Sequence, residues 1–101
     1  MIQVRAEAAA ALKAKGNSFF SSKNYQDAIV NYTRAILFKP DPIFFSNRAA
    51  CYANMGKSEE VIADCNEALK LDSTYIKALN RRAQALEKKG NLGDSLYGER
   101  F

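Results

Sequence analysis

"NYQDAI", residues 24–29, returns as "KSEEVI" at 57–62 and again as "NLGDSL" at 91–96. The offsets are 33 residues (24 to 57) and then 34 (57 to 91). Other positions keep the same period: Gly16, Ala49 and Ala83 align, as do Phe19, Tyr52 and Leu86, and Ala35 pairs with Ala68. A fixed period of this size implies stacked helical hairpins, because each unit buries its apolar face only against its neighbour.

The residues between the repeats carry turn chemistry. Asp41-Pro42 reads as an N-cap followed by proline at the first helical position. Lys23-Asn24, Gly56-Lys57 and Gly90-Asn91 fall where one helix turns into the next. The pattern predicts helices over about 5–21, 25–38, 42–55, 58–70 and 74–89. A sixth would begin near 92, weakened by Gly93 and Gly98. The predicted domain is single, residues 1–101, with repeats at about 9–41 and 42–75 and an incomplete third at 76–101.

Composition narrows the function. The 101 residues are 48% hydrophobic and 26% charged, ordinary values for a globular chain. No apolar run reaches the length of a membrane span, and the first residues lack a signal-peptide pattern. With two cysteines and no histidine, neither a disulfide framework nor a zinc site is expected, and no cofactor is implied. Cys51 and Cys65 read as buried free thiols. The absence of histidine, of a nucleophile beside a base and of a paired carboxylate set argues against an enzyme. A net charge of +4 favours anionic partners, but no extended basic track with interleaved aromatics suggests nucleic acid.

The chain resembles the tetratricopeptide repeat family. Gly16, Phe19, Ala28, Tyr32, Ala35 and Pro40 match the pattern of small and aromatic residues in the first repeat. The second keeps Ala49, Tyr52 and Ala68, with Val61 and Cys65 replacing a small and an aromatic residue. In the third, Ser95 and Glu99 stand where an alanine and an aromatic would sit. The resemblance implies an all-α, right-handed superhelix of antiparallel hairpins. Gly16, Ala49 and Ala83 would then lie where the two helices of each hairpin cross closely.

Numbering each repeat so that these three share position 8, packing residues occupy positions 4, 7, 8 and 11. Lys13 and Asn17 take positions 5 and 9, Asn47 takes 6, and Lys77 and Arg81 take 2 and 6. At about 100° per residue, these polar positions cover roughly 100° of arc opposite the packing face. Five donors from three repeats therefore point into one groove. Lys77 and Arg81, four residues apart, repel one another unless an anion lies between them.

This set is similar to the two-carboxylate clamp of tetratricopeptide domains that bind the C-terminal Glu-Glu-Val-Asp of the 70-kDa and 90-kDa heat-shock chaperones. The clamp pattern, Lys-x3-Asn, then Asn, then Lys-x3-Arg, is complete here as Lys13, Asn17, Asn47, Lys77 and Arg81. The resemblance implies a peptide-binding adaptor in which these residues hold the two carboxylates of a terminal aspartate. Phe20, Ala50, Ala53, Asn54 and Gln84 would meet the preceding peptide residues, with Ala53 leaving room for a branched aliphatic side chain. Arg48 and Arg82 are expected to face outward or brace the stack.

The short link before Asn47 and the valine at 61 resemble the clamp domains of fungal mitochondrial outer-membrane import receptors. That likeness implies a soluble fragment from the cytosolic face of that membrane, without the receptors' anchor or preprotein-binding domain. A soluble cytoplasmic cochaperone adaptor is the alternative, and a structural module that binds no carboxylate is another. Apolar surface is expected to be exposed on the third repeat, with self-association or a frayed C-terminus as its consequence.

Overall fold

A computed structural model describes the backbone of residues 2–97 and the side chains of residues 4–90. Five helices follow one another: α1 (Ile2–Ser21), α2 (Tyr25–Phe38), α3 (Pro42–Asn54), α4 (Ser58–Leu71) and α5 (Ile76–Tyr97). No strand occurs among the described residues. The strongest packing is between consecutive helices, α1 on α2 and α3 on α4, with α2 joining the two hairpins and α5 covering α4. None of the helices is long and apolar enough to cross a membrane.

The period seen in the sequence is reproduced at the level of single hydrogen bonds. At the end of α1, Lys23 adopts the left-handed conformation (φ 64°), and the Asn24 N–H reaches back to the Phe19 carbonyl at 2.8 Å. At the end of α3, Gly56 does the same (φ 75°), with the Lys57 N–H on the Tyr52 carbonyl at 2.9 Å. Both are the paired backbone closure that ends a helix on a left-handed residue. Asn24 then caps α2, its side chain accepting from the Asp27 N–H and donating to the Asp27 carboxylate. Asp41 caps α3 through the Ile43 N–H at 2.8 Å, with Pro42 at the first helical position. Asp72 gathers both the N–H and the hydroxyl of Thr74, at 3.0 and 2.8 Å, so α5 starts two residues later than the predicted 74.

Equivalent positions are equally buried. Ala28 and Val61, Tyr32 and Cys65, and Ala35 and Ala68 are each at most 2% exposed. They pack in three clusters with Ala9, Phe44, Phe45, Ala49 and Cys51, which together draw on all five helices. Across it lies one largely buried ion pair. Arg48 on α3 donates to both oxygens of Asp64 on α4, at 2.7 and 2.9 Å, and to Thr33 Oγ1 on α2 at 3.0 Å. Its guanidinium also sits 5.6 Å from the centre of the Phe45 ring. Arg82 is held by Asn66 at 2.9 Å. Of the two arginines expected to face outward or brace the stack, Arg48 joins α3 to α2 and α4, and Arg82 joins α5 to α4 through an exposed hydrogen bond.

The third repeat departs from expectation. No turn forms at Gly90-Asn91; α5 continues to Tyr97, and no sixth helix follows among the described residues. A turn there is favourable only if the returning helix can dock. The segment that would return carries Gly93 and Ser95 where its packing face needs larger or better helix-adapted residues. Continuing the helix keeps the backbone hydrogen-bonded without that requirement. Ala83, expected at a close crossing, is exposed for the same reason, as are Leu79 (38%) and Leu86 (52%). The buried positions of α5 are instead Ala78 and Ala85, which face the preceding hairpin.

Candidate functional site

The odd-numbered helices put three of the five predicted donors around one concavity. Asn17 from α1, Asn47 from α3 and Arg81 from α5 line it, together with Phe20, Tyr32 and Ala50, and its volume is about 120 Å³. Lys13 and Lys77 stand one helical turn before Asn17 and Arg81, on the same helices, and neither lines the concavity itself. Lys13 is half-buried and Lys77 exposed.

The amides are oriented by their neighbours. The Tyr32 hydroxyl donates to Asn17 Oδ1, and Asn47 Nδ2 reaches the same oxygen at 3.5 Å. Burial, with a smaller contribution from nearby Cys51, pushes the Tyr32 phenol up to about 12. At neutral pH the phenol keeps its proton, which it gives to the Asn17 carbonyl oxygen. The Asn17 NH2 and the second N–H of Asn47 remain available to an incoming acceptor. Arg81 is steadied by an Nε contact to Ser46 Oγ at 3.4 Å, and Ser46 is 1% exposed. This leaves the terminal nitrogens of the guanidinium, the pair suited to a carboxylate, without a partner among the described residues. Among those residues no carboxylate pairs with Lys13, Lys77 or Arg81; the ion pairs that form there are Arg48–Asp64, Lys70–Glu67 and Lys89–Glu59. The groove holds cations and amide donors with nothing anionic to satisfy them.

A second, smaller concavity of about 50 Å³ adjoins the first through Arg81, which lines both. Ala53, Val61 and Ala85 give it apolar lining, and Gln84 and Lys88 line it together with Arg81. Of the secondary positions, Phe20 and Ala50 belong to the first concavity and Ala53 and Gln84 to the second. Asn54 lines neither: its side chain accepts from the Tyr25 hydroxyl at 3.3 Å and donates to the Ala50 carbonyl at 2.9 Å.

Three residues of the site are not among those expected from sequence. Tyr32 has the spacing of a packing residue, and only its hydroxyl, seen in three dimensions, fixes the Asn17 amide. Ser46 gives no sign in sequence of its contact with Arg81, thirty-five residues away. Lys88 does carry a signal, since it lies four residues after Gln84 and seven after Arg81, on the same helical face. The cysteines contribute no chemistry. Both are buried and free, and burial pushes the Cys51 thiol up to about 11.

Gly16 links the fold to the site. A Cβ built there would lie 2.5 Å from Cε1 and 2.7 Å from Cδ1 of the Tyr32 ring. Gly16→Ala gains about 1 kcal/mol in helix propensity, but displacing a buried ring costs about 1–3 kcal/mol. The expected result is a net loss of stability in thermal melts, together with a loosened Asn17 amide. In an amide-resolved NMR spectrum the Asn17 side-chain NH2 resonances should shift, whereas a ring that stays in place would leave them unmoved.

Comparisons with known proteins agree with this fold. The family profile described as "Tetratricopeptide repeat" matches residues 42–75. The chain is 45% identical over 89 residues to the mitochondrial import receptor subunit TOM70 of Saccharomyces cerevisiae, covering 88% of this chain and 14% of that protein. The human TOM70 is 42% identical over 94 residues, covering 87% of this chain and 16% of the relative. The chain thus spans about a seventh of these curated relatives. Among solved structures, the second tetratricopeptide domain of Spaghetti (RPAP3), bound to the HSP90 peptide SRMEEVD, aligns with a TM-score of 0.85 at 35% identity. That alignment covers 95% of this chain and 89% of the other. Yeast Tom70 aligns with a TM-score of 0.82 at 44% identity, over 90% of this chain and 19% of that one.

Proposed function

The chain belongs to the tetratricopeptide repeat family, and on that premise we propose that it is an adaptor domain that binds the C-terminal Glu-Glu-Val-Asp of heat-shock chaperones. One observation carries the reading: donors from three helices converge on a groove in which no carboxylate of the described residues meets them. The oriented amides of Asn17 and Asn47, with Lys13, suit one carboxylate of a terminal aspartate. Lys77 and Arg81 suit the other. The relative solved with the HSP90 peptide supports this choice of ligand. Similarity to TOM70 supports a role in docking chaperone-bound preproteins at the cytosolic face of the mitochondrial outer membrane.

Each charge-assisted hydrogen bond contributes about 1.5–3 kcal/mol, offset by ordering of the peptide. Micromolar affinity, about 8 kcal/mol, is the expected net. The test compares a SRMEEVD peptide with its C-terminally amidated form by isothermal titration calorimetry. Amidation removes one of the two anchoring carboxylates and should weaken binding by roughly tenfold or more, since about 1.4 kcal/mol is a factor of ten. Binding should also weaken as salt is raised, because the groove is open to screening ions. Equal affinity for the two peptides would overturn the proposal.

A further inference from the structure

The two complete repeats differ on their outer faces. α2 and α4 hold equivalent places in the stack, and their outward positions correspond at an offset of 33 residues. On α4 that face carries Ala63, Glu67 and Lys70, the last two paired at 3.1 Å. On α2 the same three positions hold Val30, Arg34 and Leu37. Leu37 is the most exposed large hydrophobic residue among those described, at 79%, and Val30 and Phe38 are exposed beside it. The repeat fold does not require this apolar surface, because the equivalent helix folds with a polar one.

Charge sets the face apart as well. No acidic residue lies between Val30 and Lys39. Neither Arg34 nor Lys39 has an ion-pair partner among the described residues. Asp27, the acid of α2, is engaged by Asn24 Nδ2 at 2.8 Å. Arg34, Leu37 and Phe38 line a concavity of about 270 Å³, in which a guanidinium stands beside apolar walls. The face also points away from the peptide groove. Tyr32 reaches the groove from α2. Val30, Arg34 and Leu37 lie about 140–160° around the helix from Tyr32, at about 100° per residue.

We infer that the outward face of α2 is a peripheral docking surface for an anionic lipid membrane. Val30, Leu37 and Phe38 enter the boundary between headgroups and acyl chains, while Arg34 and Lys39 meet lipid phosphates. A fluid interface accepts a protruding leucine without a pocket, whereas a protein partner must supply one. The net charge of +4 draws the chain toward such a surface. So small an apolar face gives weak, reversible binding. Because the groove lies on the other side of α2, a docked domain still takes a peptide. Membrane docking through α2 requires nothing of the clamp.

The test is co-sedimentation with phosphatidylcholine vesicles, with and without about 30 mol% phosphatidylserine. The variant combines Arg34→Glu with Leu37→Lys, the residues that α4 already carries at these positions, so the fold should stay intact in a thermal melt. Wild type should bind the anionic vesicles and bind pure phosphatidylcholine at least about fivefold more weakly, the worth of one basic residue near an anionic surface. The double variant should lose about tenfold or more on anionic vesicles and keep its affinity for SRMEEVD. Lys57→Gln lowers the net charge by as much as the double change does, but in the α3–α4 link, and should bind vesicles within about twofold of wild type. Saturating SRMEEVD should leave vesicle binding unchanged. Docking through α2 is overturned if wild type does not bind anionic vesicles, or if the double variant binds them as wild type does. It is overturned too if the peptide displaces the vesicles, which would put the lipid in the groove. Self-association lost in the double variant, with no vesicle binding, would assign the face to a second copy instead. Peptide affinity is read separately, so failure of the clamp leaves the vesicle result standing.

Discussion

Arg81→Ala should reduce affinity for a Glu-Glu-Val-Asp peptide by roughly 10- to 100-fold, from the 1.5–3 kcal/mol of a charge-assisted hydrogen bond to an ionised partner. No other groove residue should cost as much. Arg81 lines both concavities, is half-buried, and presents terminal guanidinium nitrogens that no described acceptor occupies. Lys77→Ala should cost less, because its ammonium is exposed and screened. Arg81→Lys should recover only part of the loss, since an ammonium cannot offer two parallel donors to one carboxylate. The folded state should barely notice the change. The one hydrogen bond Arg81 makes among the described residues is a long one, to Ser46 Oγ at 3.4 Å. A calorimetric titration paired with a thermal melt decides the matter: affinity within threefold of wild type, with the fold intact, would exclude Arg81 from the binding site.

Asp64→Ala should produce the reverse pattern, a large loss of stability from a residue that lines neither concavity. Asp64 is 3% exposed and accepts two hydrogen bonds from Arg48, whose own side chain is only 19% exposed. Removing the carboxylate strands a largely buried guanidinium, which costs about 3–5 kcal/mol. For a domain of this size, about 3 kcal/mol corresponds to a fall in melting temperature of roughly 12–24 °C. Replacing both partners, Arg48→Met with Asp64→Leu, should restore most of it, because the penalty comes from the unpaired charge and not from loss of the pair itself. A double mutant as unstable as the single one would show instead that the Arg48 interactions with Thr33 and the Phe45 ring stabilise the α2–α3–α4 junction. Urea titrations of the three proteins distinguish the outcomes.

Much of this molecule is legible in its sequence. The period of 33 and 34 residues specifies stacked hairpins, because hydrogen bonding and burial act locally and repeat wherever the residues repeat. Asp41-Pro42 and Gly56 mark helix boundaries that the structure keeps, since caps and left-handed residues are properties of a few adjacent positions. Gly16 is equally readable: a glycine in an alanine-rich helix suggests a close approach, and the Tyr32 ring supplies it. Helical periodicity also places Lys13, Asn17, Asn47, Lys77 and Arg81 on one side of their helices.

In the third repeat the sequence misleads, for a definite reason. Gly90-Asn91 has turn chemistry, but a turn is held in place by the helix it returns, and the docking surface of that helix lies in tertiary structure. The same distinction governs the groove. Sequence determined the all-α repeat fold, the helix ends of the first two repeats and the side of each helix that carries donors, all of which follow from interactions within a few residues. Only the tertiary structure decided that Tyr32 locks the Asn17 amide, that Ser46 steadies Arg81, and that Arg81 lines two concavities. Those interactions join residues many turns apart in the chain. Their geometry depends on how closely the helices approach, and that distance is set by packing and not by period.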